Sequence, residues 1–134
     1  MKQFILFIGL CFFSLTSSAI EAQQAVKTST EGGRYEIVQS EIARKYFFKL
    51  DKYTGNVYQL VKKSNGDVTW EKMLVIGLAL DTIKEDAINF QIFMGGIAVS
   101  DCFMINIHTG KTYQLFCDKT TDELFWGYII ENNL

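Results

Sequence analysis

The chain has 134 residues, 49% of them hydrophobic and 14% aromatic, with no proline and a net charge of −2. That balance suits one packed domain and excludes a disordered chain. It gives no electrostatic footprint for a nucleic-acid partner, and the one histidine and three cysteines show no metal-ligand spacing.

Residues 1–22 follow the order of a secretory signal peptide. Lys2 supplies the positive end, residues 4–15 are an almost unbroken apolar run, and Thr16, Ser17, Ser18 and Ala19 follow. The run is too short to span a bilayer as a helix. Cleavage after Ala19 or after Ala22 fits the small-residue rule, and the polar stretch from Gln23 favours Ala22. A retained N-terminal anchor and a lipid-modified Cys11 are the alternatives; bulky Leu10 before Cys11 argues against the second. The expectation is an exported protein, periplasmic or extracellular, with a flexible linker over 23–33 and a single β domain over 34–134. No transmembrane span remains after the leader, because the apolar run over 73–80 is short enough to be core.

An internal repeat organises the domain. Residues 35–60, YEIVQSEIARKYFFKLDKYTGNVYQL, align without a gap on residues 90–115, FQIFMGGIAVSDCFMINIHTGKTYQL, at an offset of 55. Nine of the 26 pairs are identical, including Phe48/Phe103, Thr54/Thr109, Gly55/Gly110, Tyr58/Tyr113 and Leu60/Leu115, where chance gives roughly one or two. Trp70 matches Trp126 after one inserted residue.

Within the first copy the sequence predicts a strand over 34–40, a hairpin of strands 46–51 and 57–61, a polar turn over 64–67 and a strand over 68–75. The second copy predicts a strand over 89–94, a hairpin around residues 107–111, a turn over 119–122 and a strand over 124–130. The fold class is therefore all-β: two four-stranded antiparallel meander repeats, over 34–72 and 89–130, forming a small barrel-like or sandwich domain.

The glycine closing each hairpin suits a three-residue loop with a bulge. That loop sets Leu50 opposite Tyr58 and Phe48 opposite Leu60. It predicts one core set of Phe48, Leu50, Tyr58 and Leu60, and the equivalent Phe103, Ile105, Tyr113 and Leu115. The other face of the second copy then carries Cys102, Met104 and Phe116, to be covered by residues 73–80 or the chain end, or left as a partner site. Cys102 and Cys117 would point to opposite faces, which disfavours a disulfide.

The pattern Leu50-Asp51, Thr54-Gly55, Tyr58, Leu60 and Trp70, repeated as Ile105-Asn106, Thr109-Gly110, Tyr113, Leu115 and Trp126, resembles the short β-meander repeats of uncharacterised exported bacterial proteins. The likeness implies a structural unit and no activity.

No catalytic set emerges. His108 lies in a hairpin loop, Gly32-Gly33 and Gly95-Gly96 lack the strand-to-helix setting of a phosphate loop, and the acidic residues fall mostly in predicted turns. No catalytic, cofactor-binding or metal residue is expected. Tyr58, Trp70, Tyr113 and Trp126 recur in both copies and are the candidate ligand or partner contacts, with a plain core role as the simpler explanation. Charge divides the halves: eight basic and five acidic residues over 34–72 give +3, and three basic and eight acidic over 81–131 give −5. Opposite signs can help the halves pack or mark a basic partner face. The expected function is a non-enzymatic binding module whose partner is a protein, an envelope component or a small apolar ligand. The alternative is a small secreted hydrolase with an unrecognised site.

Overall fold

The computed structural model describes residues 32–39, 46–95 and 98–131. The leader, its two cleavage sites, Cys11 and most of the 23–33 linker lie outside them. The described chain is all-β, with two single 3₁₀ turns, Leu78–Leu80 and Val99–Asp101. Strands β1 (Tyr35–Gln39), β2 (Phe47–Asp51), β3 (Val57–Lys62) and β4 (Val68–Lys72) form one antiparallel meander. Strands β5 (Phe90–Met94), β6 (Cys102–Asn106), β7 (Thr112–Cys117) and β8 (Leu124–Tyr128) form the second. The sheets do not close into a barrel; they pack face to face as a sandwich-like pair. The first three strands of the two sheets stand 55 residues apart and the fourth 56, as Tyr35 and Phe90, and Val68 and Leu124, show.

The hairpin glycines sit in the left-handed region, Gly55 at φ 75° and Gly110 at φ 78°. The loop, however, holds four residues rather than three. The Asp51 N–H donates to the Asn56 carbonyl at 2.9 Å, and the Gly55 N–H donates back to the Asp51 carbonyl at 2.8 Å. Asn106 and Lys111 repeat the closure at 2.9 Å, with Gly110 returning to Asn106 at 2.8 Å. The first side chain of the loop explains the extra residue. Asp51 Oδ1 accepts the Tyr53 N–H at 3.1 Å, and Asn106 Oδ1 accepts those of His108 and Thr109 at 2.9 and 3.2 Å. Such an Asx turn holds the first loop residues in a helical bend, and the glycine then reverses the chain.

The extra residue moves the register by one place. Phe48 pairs with Gln59 and Leu50 with Val57, not with Leu60 and Tyr58; Met104 pairs with Tyr113, and Ile105 with Thr112. Because side chains alternate, one step exchanges the faces. The expected core sets are corrected accordingly. In sheet one Phe48, Leu50, Val57 and Val38 are buried, while Tyr58, Leu60 and Trp70 lie on the other face. In sheet two Met104, Tyr113, Leu115 and Trp126 are buried, while Phe103 and Ile105 lie outside. Cys102 and Cys117 thus share a face. Cys102 is buried and Cys117 exposed.

The two sheets are joined by residues 73–89. The Trp126 N–H donates to the Leu74 carbonyl at 2.9 Å and the Ile76 N–H to the Trp126 carbonyl at 2.8 Å, so this segment pairs with the β8 edge and blunts it. It does not lie over the outer face of sheet two. Lys52 of the first hairpin accepts the backbone N–H groups of Asn89 and Phe90 at 2.8 and 2.9 Å, which seats the start of β5 on that hairpin.

This seating separates the two glycines energetically. A Cβ on Gly55 would meet Leu78 Cδ1 at 2.8 Å and the Phe90 ring at 2.9 Å, whereas one on Gly110 meets nothing within 4 Å. Gly110→Ala should cost roughly 1–2 kcal/mol, the left-handed strain alone. Gly55→Ala adds overpacking and should cost about 1–3 kcal/mol more. Equal shifts in the two denaturant midpoints would contradict this placement.

Candidate interaction surfaces

Sheet one buries the face of Phe48 and Leu50; sheet two buries the opposite one, that of Met104, Tyr113, Leu115 and Trp126. The Trp126 ring stands edge-on to Phe48 at 6.2 Å. Its indole N–H is, among the described residues, a buried donor without a partner, so this tryptophan acts through apolar packing. Two faces remain outside the stack.

The outer face of sheet one is aromatic and basic. Tyr58 and Trp70 are half-buried there, with Lys49 Nζ 4.8 Å from the first ring centroid and 5.1 Å from the second. Such contacts stabilise an ammonium by about 0.5–1 kcal/mol at an exposed site. Ile37, Phe47 and Leu60 share the face, and Lys62 and Lys72 are exposed on it.

The outer face of sheet two is aromatic and carries no charge on its strands. Phe93 is 56% exposed and Phe116 39%. Phe93, Phe103 and Ile105, with Thr112 and Asp101, line a shallow depression of about 800 Å³. Phe116 stacks on Phe125 at 5.6 Å and lies across Gly127, where a Cβ would meet its ring at 2.8 Å.

The four sequence candidates therefore do not form one site. Tyr113 and Trp126 are core; Tyr58 and Trp70 belong to an outer face. Phe93, Phe103 and Phe125 were missed by sequence reasoning. The signal that could have found them is the Asx-turn residue, Asp51 or Asn106, which lengthens each loop and turns these rings outward.

Other polar groups are engaged in structure. His108 Nε2 lies 3.1 Å from the Ile88 carbonyl oxygen. Asp81 accepts the Tyr113 hydroxyl at 3.0 Å and the Thr109 hydroxyl at 3.3 Å, tying the connecting segment to sheet two; burial first, then this bond, raises the Tyr113 pKa. A cleft of about 670 Å³ between the sheets is bordered by Glu71, Asp118, Asp122 and Glu123. Asp118 is occupied by the N–H groups of Thr120 and Thr121 at 2.7 and 3.3 Å, which hold its carboxyl below the usual range, and Asp122 accepts the Cys117 thiol at 3.4 Å. Among the described residues no group of three His, Cys, Asp or Glu could hold a metal ion, and no helix is long and apolar enough to cross a membrane. No family model, curated protein or solved structure matches the chain.

One ion pair marks the free end of the stack. Arg34 Nε and Nη2 donate to Asp51 Oδ1 and Oδ2 at 3.0 and 2.8 Å. Burial alone would raise the Asp51 pKa, but Arg34, the Thr54 hydroxyl and the Tyr53 N–H together hold it below the ordinary value. A depressed carboxylate contributes stability that is present above the unfolded value, about 4, and is lost as pH falls through the folded one. Asp51→Asn keeps the turn acceptor, as Asn106 does, and removes the pair. Urea midpoints between about pH 2 and 6 should therefore fall less steeply with acid for this variant than for the wild type. Parallel profiles would remove the pair from the account.

Proposed function

We propose that this chain is an exported, non-enzymatic interaction module that binds through the outer faces of its two sheets. The apolar outer faces support this reading: Phe93, Phe116, Ile37 and Tyr35 are all more than a third exposed on sheet surfaces. Monomeric proteins rarely leave contiguous apolar faces to solvent, and those that do use them for recognition. Aromatic side chains are enriched in recognition surfaces relative to the rest of a protein's exterior. The signal-peptide pattern over residues 1–22 supports export, and the partner then belongs to the periplasm, the envelope or the exterior.

A photo-crosslinking amino acid at position 93 or 70 tests this, with position 65, in an exposed turn, as the control. In the native host, discrete adducts are expected from the two face positions and not from the turn. Adduct patterns that do not distinguish face from turn would reject the reading. The intact mass of the recovered protein checks export separately: it should lack residues 1–19 or 1–22.

A further inference from the structure

The two outer faces are the two halves of an interface the chain already makes once. Residues that sheet one turns inward correspond, at the offset of 55, to residues that sheet two turns outward. Val38 is 2% exposed and its counterpart Phe93 56%; Phe48 and Leu50 are buried where Phe103 and Ile105 are half-exposed. The converse holds on the other side. Ile92 is 1% exposed and Ile37 39%; Tyr113 and Trp126 are buried where Tyr58 and Trp70 are not. The internal contact is therefore front to back, not front to front. Its unused back is on sheet two and its unused front on sheet one.

From this we infer that chains associate head to tail, the outer face of sheet two of one copy covering the outer face of sheet one of the next. The proposal rests on the interaction-module reading and names its partner as a second copy of this chain. The occupant follows from continuity with the existing interface, since each free face is the repeat equivalent of one already covered by the other type. The two parts of the sequence carry opposite net charge, +3 over residues 34–72 and −5 over residues 81–131, which speeds encounter between copies. The polar residues are compatible with it. Lys62 and Lys72 correspond to Cys117 and Tyr128, which stay exposed beside the internal contact, so both lysines remain at the rim. Lys49 corresponds to buried Met104; docking would desolvate it, together with the half-exposed Arg34 that pairs with Asp51 at the same end, and these charges limit the affinity. A front-to-back contact is heterologous, and it closes into a ring or runs on as a filament. Closed radial arrays hold roughly four to eight four-stranded sheets, which at two sheets per chain means about two to four copies.

Sedimentation of the purified protein over a concentration series, with two complementary variants, tests this. Phe93→Glu blocks the outer face of sheet two and Trp70→Glu that of sheet one; Lys49→Glu serves if the tryptophan variant melts early. The wild type should form a concentration-dependent assembly. Each variant alone should be monomeric, and an equimolar mixture should stop at a one-to-one dimer. Lys49→Met should tighten assembly by roughly tenfold or more, because it restores the residue of the buried copy. A wild type and a Lys49→Met variant that both stay monomeric at high concentration would overturn the proposal. So would single variants that still dimerise, since the contact would then pair like faces. Crosslinks from positions 93 and 70 to a different molecule, without self-assembly, would defeat this inference and leave the interaction-module reading standing.

Discussion

The structure depends on how the two central hairpins close. Asp51 and Asn106 each spend a side-chain oxygen on the backbone N–H groups of the next residues. Thr54 and Thr109 do the same for the residue after the glycine, accepting the N–H of Asn56 and Lys111 at 3.4 and 3.3 Å. The bend therefore consumes four residues before pairing resumes. Side chains alternate along a strand, so the parity of the loop decides which half of each strand faces the core. The same device recurs a third time between β7 and β8. Asp118 and Glu123 close the loop at 2.9 Å, and Asp122 takes the left-handed position at φ 59°. The corresponding loop of sheet one is shorter, closed between Lys63 and Asp67 with Gly66 at φ 92°. That difference is the inserted residue that sets Trp126 one place further than the repeat offset.

Much of this was legible before any coordinates. The eight strands, their division into two meanders and the left-handed glycines follow from alternation, turn residues and the repeat. The faces did not, for two physical reasons. First, a glycine-closed loop of three residues and one of four leave the same sequence signature; only the side-chain hydrogen bonds of Asp51 and Asn106 separate them. Second, equal sequence suggested equal burial, as if Phe48 and Phe103 shared one core. Two copies related by a step rather than by a twofold bury opposite faces. The pair Lys49 and Met104 carried that message: a lysine and a methionine at one repeat position do not suit one environment.

Differences between the copies follow burial elsewhere as well. Arg34 and Asp51 form a charged pair at the end of sheet one, where the arginine is 46% exposed. The equivalent residues of sheet two are Asn89 and Asn106, both fully buried beneath the connecting segment. Charges there would be desolvated without water to compensate. Amides instead satisfy the segment directly. Asn89 Nδ2 donates toward the carbonyls of Tyr53, Lys84 and Ala87 at 3.0, 2.8 and 3.0 Å, and its Oδ1 accepts the Lys84 N–H at 2.8 Å. Asn106 Nδ2 reaches the Thr82 carbonyl at 2.9 Å. In sheet two both residues are buried and neutral; in sheet one the buried Asp51 is charged and paired with a half-exposed Arg34.

By that same logic a surface meant only for water should become polar when its cover is removed, as the terminal units of stacked repeats do. Lys49 in place of Met104 obeys this on sheet one. Sheet two does the reverse. Where the buried face of sheet one carries Val38, Val61 and Thr69, the exposed face of sheet two carries Phe93, Phe116 and Phe125. All three exchanges enlarge the side chain and make it aromatic, the change expected of a surface that gains by being covered. The stack is thus polarised along its axis, with one end tempered by a lysine and the other built of phenylalanine rings. Gly127 lies under the Phe116 ring, where a Cβ would stand 2.8 Å from it, so any side chain at this position would push the ring off the sheet.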